Sequence, residues 1–237
     1  MPRETAVLMW TALSLGFFHT LIGPDHYLPF VVMSKARGWS MFKTNIIVFL
    51  CGVAHVASSI VLGFIGIAVG ITLFKLEALE SFRGEIAGWF LLIFGFTYFV
   101  WGIHMAIQNR QHQHIHNHYC GGAHEHIHSH TGGHLHLHED KKKADITPWI
   151  IFTIFVFGPC EPLIPILMYP AAKGSLVSVI MVATIFGAAT ILTMLVIVAL
   201  MFYGLMKLPT SKLEKYSHAL AGLAILLCGI AIKFFGL

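Results

Sequence analysis

The sequence predicts an all-α membrane protein of six transmembrane helices, arranged as two inverted three-helix repeats with broken first helices. Three observations predict this class: a shortage of charge, six long apolar windows, and an internal repeat at a nearly constant offset.

Of 237 residues, 57% are hydrophobic and 11% are charged, against roughly 25% charged in an ordinary soluble domain. No Asp, Glu, Lys or Arg interrupts the stretches Lys43 to Lys75, Glu85 to Arg110, Lys173 to Lys207, or Lys215 to Lys233. Two further windows hold one acid each: Asp25 between Glu4 and Lys35, and Glu161 between Asp145 and Lys173. A membrane helix needs about 20 mostly apolar residues. Spans are therefore expected near 6–34, 44–73, 86–108, 147–170, 175–206 and 216–235. The first is read as a retained span, because no small-residue cleavage site closes it.

The repeat is read from three segments. "GPDHYLPFVVMSKARG" from Gly23 matches "GPCEPLIPILMYPAAKG" from Gly158, pairing Asp25 with Cys160 and His26 with Glu161. "CGVAHVASS" (51–59) matches "FGAATILTM" (186–194), and "AGWFLLIFG" (87–95) matches "AGLAILLCG" (221–229). The offset stays between 134 and 136 residues, as a duplicated unit requires. Residues 1–108 form the first repeat, 109–146 a flexible His-rich loop, and 147–237 the second repeat. Three spans per unit force the second copy to insert upside down, the layout of many secondary transporters.

Basic residues set the expected orientation. Arg3, Lys75, Arg83, Lys173 and Lys233 fall on the side of the termini. Lys35, Arg37, Lys43, Arg110, Lys141, Lys142, Lys143, Lys207, Lys212 and Lys215 fall on the other. Ten against five places the second side, with the loop, in the cytoplasm and both termini outside.

That loop carries eleven of the sixteen histidines: His112, His114, His116, His118, His124, His126, His128, His130, His134, His136 and His138. Alternating His-x-His with paired glycines reads as a metal-buffering tract, since neutral imidazole takes zinc, nickel, copper and cobalt. Such loose ligands lack the geometry to discriminate among metals. The other reading is a plain polar linker.

Discrimination is expected within the spans. Asp25 and Glu161 are costly at membrane depth, and their default meaning there is function. Each follows a Gly-Pro break, which opens the helix backbone, and irregular backbone at depth is tolerated only in a protein-lined cavity. Capping of the broken ends is the structural alternative. His19 and His55 are further intramembrane ionisable groups, read either as ligands or as packed histidines. Cys160, opposite Asp25 in the repeat, is a soft ligand or a small packed residue. Asp25, His26, His55, Cys160 and Glu161, with His19, make a mixed N/O/S set suited to a divalent transition metal rather than Mg or Ca. Protonating these ligands weakens the site, which offers a route to proton coupling.

His19…Asp25-His26 resembles the His, four residues, Asp-His signature of the nickel/cobalt transporter (NiCoT/NicO) family, here with five residues between His19 and Asp25. "GVAHVASS" around His55 is similar to a motif in a following span of that family, and the His-rich loop to its efflux branch; UreH-like proteins share the layout. The resemblance implies a transporter of the LysE-type superfamily in a prokaryotic inner membrane. Its cargo would be nickel or cobalt, with zinc also compatible. A homo-oligomer is compatible with it too.

"GPCEPLIP" is closer to the Pro-Cys motifs of the DsbD/CcdA thiol-disulfide electron carriers. That chemistry needs two cysteines that meet, and Cys51, Cys120, Cys160 and Cys228 show no CxxC pair. Export of sulfite or a small anion is a third reading, opposed by the charge of Asp25 and Glu161. A metal-responsive scaffold is a fourth. No P-loop or zinc-protease motif is present; no enzyme activity, tightly bound cofactor or nucleic-acid partner is expected.

Overall fold

In the computed structural model, helix α1 (Arg3–Ile22) stops at Gly23-Pro24. Proline has no N–H to continue the helical ladder. The chain makes one 3-10 turn, Pro24–His26, before α2 (Leu28–Arg37). Two long helices follow, α3 (Met41–Val69) and α4 (Leu73–Gln108). The second half has the same order. The helix α5 (Thr147–Phe157) ends at Gly158-Pro159, α6 (Leu163–Ala172) resumes the path, and α7 (Leu176–Met206) and α8 (Ser217–Phe235) are long. The structure describes residues 3–108, 112–118, 122–128, 145–206 and 214–235. Within the connector, strands β1 (His112–His118) and β2 (Gly122–His128) pair antiparallel, with His114 opposite His126. His130, His134, His136, His138 and Cys120 lie outside the described residues.

Among the described residues, five helices are long and apolar enough to cross a membrane: α1, α3, α4, α7 and α8. The helices α5 and α6 have 11 and 10 residues, about 16 Å each, and neither spans alone. Large apolar side chains cover the outside: Trp10, Phe42, Phe74, Trp149 and Phe235 are all more than two-thirds exposed. All but Trp10 lie near helix ends, where aromatic side chains anchor at a bilayer surface. The chain is an integral membrane protein.

One boundary differs from the sequence expectation. The stretch from Leu73 to Glu85, read there as loop and window edge, is the first third of α4. Its inward charges, the buried Glu80 and the partly buried Arg83, pair with each other. A helix can therefore carry them inward at a cost that unpaired charges would not allow.

Segments aligned in the repeat also behave alike. Arg37-Gly38 and Lys173-Gly174 both close short helices on a left-handed glycine, with φ of 61° and 69°. Both add a backbone bond from the next residue to the carbonyl five back, Trp39 to Ser34 and Ser175 to Pro170, a Schellman arrangement. The aligned segments further pack on one another. Gly52 of α3 lies against Ile191 and Met194 of α7, and Gly187 of α7 against Val56 of α3. Helices α4 and α8 form the most extensive helix pair. Gly95 and Gly102 meet the backbones of Leu226 and Ala219, and Gly222 and Gly229 meet those of Phe99 and Leu92. Small residues that let backbones touch are the usual glue between membrane helices.

Candidate metal centre

The two helix breaks and the middle of α3 meet at one place. His19 lies in the last turn of α1, whose end is closed by the Gly23 N–H on the His19 carbonyl at 3.1 Å. The 3-10 turn then folds His26 back over that end. The rings of His19 and His26 meet edge to face, with centroids 4.6 Å apart. His55, from α3, approaches His26 at 5.0 Å and lies nearly parallel to His19 at 6.4 Å.

One nitrogen from each of His19, His26 and His55 lies within 4.8 Å of the other two. His19 Nε2, His26 Nε2 and His55 Nδ1 are buried and have no hydrogen-bond partner. Buried polar atoms are nearly always satisfied, and each orphan costs of order 1–3 kcal/mol. An imidazole nitrogen binds a transition metal at about 2.1 Å, so an ion held among the three rings would supply partners that the protein does not.

The outer nitrogens of two rings are held by neighbours. Asp25 Oδ1 accepts from His26 Nδ1 at 3.1 Å, and the Gly23 carbonyl lies 3.2 Å from the same nitrogen. A proton assigned to Nδ1 leaves the Nε2 lone pair facing the cluster, the usual way a carboxylate orients a metal-binding histidine. Cys160 Sγ lies 3.3 Å from His55 Nε2. A proton assigned there donates to sulfur and leaves Nδ1 unprotonated. The break glycines make room for this. A Cβ on Gly23 would come 2.6 Å from His26 Nδ1, and one on Gly158 would come 2.8 Å from His55 Nδ1.

A buried ion pair holds the second break. Arg83 Nη1 donates to Glu80 Oε1 at 2.6 Å, and its Nη2 donates to Ser58 Oγ at 2.6 Å and to the Val156 carbonyl at 2.9 Å. Glu80 Oε2 accepts the Cys160 N–H and the Ser59 hydroxyl, each at 3.2 Å. The Ser58 hydroxyl in turn donates to the His55 carbonyl at 2.7 Å. Arg83 thus satisfies a carbonyl at the end of α5 while Glu80 satisfies an N–H just past the break, the groups a broken helix leaves open.

The sequence-predicted residues divide accordingly. His19, His26 and His55 converge, Asp25 buttresses His26, and Cys160 contacts His55 rather than a second thiol. Cys51, Cys160 and Cys228 are buried and free. Glu161 is exposed and lines the cavity leading to the histidines; the structure sets it apart from the three-imidazole cluster. The residues paired by the repeat do not meet directly: His55 stands between the two breaks, near His26 on one side and Cys160 on the other. Two residues that the span windows did not single out also lie inside the bundle: Glu80, which is fully buried, and Arg83, which is partly buried beside it. The signal for that pair was its i, i+3 spacing beside a Ser58-Ser59 dipeptide on the neighbouring span. His218 binds the Tyr98 hydroxyl at 2.8 Å and His104 pairs with Gln108, both away from the cluster.

No protein-family model, curated protein or solved structure matches the chain.

Proposed function

We propose that this chain is a secondary transporter of divalent transition-metal ions of the nickel/cobalt class, akin to the NiCoT/NicO proteins, with His19, His26 and His55 as the cargo site. One observation carries the reading: three imidazoles, each with a buried nitrogen that lacks a partner, converge where two membrane helices are broken. All-nitrogen first contacts, with a carboxylate and a thiol behind them, favour borderline metals over Mg or Ca. Two inverted repeats are the architecture behind this reading. Its support is the twice-repeated helix order, the matched Gly38 and Gly174 caps, and the mutual packing of aligned segments. The His-rich connector buffers metal on the cytoplasmic face, opposite both termini. Because Arg83 is drawn against Glu80 inside the bundle and counts on neither side, the basic-residue bias becomes ten against four.

The competing chemistries lack partners. A thiol carrier needs a second cysteine at Cys160, and among the described residues its side-chain partner is His55. An anion would need the Arg83 guanidinium, which Glu80, two serines and two carbonyls already occupy.

The test is metal flux in proteoliposomes across Ni, Co, Zn, Mn, Cu and Fe, with and without a pH gradient. The wild type should move nickel or cobalt, His26→Ala should abolish movement, and Asp25→Asn should slow it. Normal transport by Asp25→Asn, or no metal moved by the wild type, sinks the reading.

A further inference from the structure

A cavity of about 580 Å³ reaches His19, His26 and His55, and its outer wall includes Ser81, Glu85 and Glu161. A second cavity, about 380 Å³, adjoins it through Ser81 and Glu161 and is lined by Glu77. Glu77, Ser81 and Glu85 follow one another at i, i+4 and i+8 on α4, so they form a single stripe along that helix. Glu161 faces the stripe from the second break. Of these acids, Glu85 is neutralised by Lys233 at 2.8 Å. Glu77 and Glu161 have no ion-pair partner among the described residues. At the inner end, His26 and His55 are 3% and 2% exposed and keep a partnerless nitrogen each.

We propose that Glu77 and Glu161 form an acidic vestibule that captures hydrated divalent cations on the face where α4 begins and passes them, by way of Asp25, to the imidazoles. The inference rests on the metal-site reading. Charge of one sign in a cleft with apolar walls concentrates counter-ions and raises their arrival rate. Carboxylates hold any hydrated divalent cation, Mg included, whereas imidazoles take only ions that shed water and accept nitrogen. Selection is then divided: the vestibule selects for charge, and the histidines select for element. Lys233 limits the vestibule by removing one of its carboxylates, which keeps the outer site weak enough to release its ion inward.

The test is Co uptake by the full-length protein in proteoliposomes, with Co presented on the face that carries Glu77. The variants are Glu77→Gln, Glu161→Gln, the double variant and His26→Ala. The double variant should show a three- to ten-fold higher KM with maximal rate unchanged, as expected for lost steering. Competition by millimolar Mg, present in the wild type, should weaken in parallel. An unchanged KM and unchanged Mg competition in the double variant overturn the vestibule while leaving the histidine site standing. A fall in maximal rate at constant KM overturns it as well. Normal uptake by His26→Ala overturns both.

Discussion

The thiol of Cys160 lies 3.3 Å from Nε2 of His55, on the side of the ring away from the partnerless Nδ1. In the proposed metal site this contact gives Cys160 the task of orienting His55 rather than redox chemistry. Cys160→Ser retains a hydrogen-bond acceptor and should keep transport, with affinity reduced by less than in Cys160→Ala. The alanine variant should lose about ten-fold in metal affinity, the low end for outer-shell partners. Abolished transport in Cys160→Ser, with the protein folded, would instead make the thiol a direct metal ligand.

Glu80 and Arg83 should be far more sensitive singly than together. Removing Arg83 leaves the fully buried Glu80 carboxylate unpaired, at a cost of about 3–5 kcal/mol, and removing Glu80 leaves the partly buried guanidinium without its acid. Replacing both with apolar residues of similar size, Glu80→Leu with Arg83→Met, removes the charges at once. Thermal unfolding in detergent should rank the double variant above both singles. Additive losses would show that the pair acts through its separate caps on the second break and not through charge balance.

Close packing of α4 on α8 gives a prediction with an internal control. A Cβ on Gly102 would run into the backbone of Ala219, whereas one on Gly204 meets nothing within 4 Å. Gly102→Ala should lower stability by about 1–3 kcal/mol or more, the range for overpacking. Gly204→Ala should be neutral or slightly stabilising through helix propensity. Equal melting temperatures for the two variants would contradict the packing.

Asp145 precedes α5 outside the membrane-spanning helices. Trp39 Nε1 donates to its Oδ2 at 3.0 Å and the Thr147 N–H to its Oδ1 at 3.2 Å. Partial burial works to raise this carboxyl, but those hydrogen bonds outweigh it and hold it below the usual carboxylate range. A lowered folded-state value contributes stability above the unfolded carboxylate pKa, near 3.9. That contribution is lost as pH falls through the folded value. Asp145→Asn should therefore melt below the wild type at neutral pH, and the gap should close in strong acid. A gap independent of pH would show that the contribution is steric.

Much of the site was legible in the sequence because breaks and buried histidines are local signals. Gly23-Pro24 and Gly158-Pro159 ended helices as their chemistry requires, and His26 and His55 fell into the cluster. His19 is instructive. Counted along an unbroken helix, it stands about two turns from His26. The 3-10 turn folds His26 back against the end of α1 and brings the rings to 4.6 Å. Spacing rules for a continuous helix do not survive a break. Glu80 and Arg83 were hidden for another reason: charges mark a span boundary only when unpaired, and these two neutralise each other at 2.6 Å. The outward placement of Glu161 was not legible either, because the repeat aligns residues by sequence and not by the direction in which each break turns them.

The central claim is that His19, His26 and His55 together hold a transition metal. Its most direct measurement is stoichiometric Ni or Co binding with X-ray absorption on protein whose eleven loop histidines are replaced by serine. The account predicts one ion per chain with about three imidazole nitrogens, lost when His19, His26 and His55 are all changed to alanine. Undiminished binding by that triple variant would contradict it.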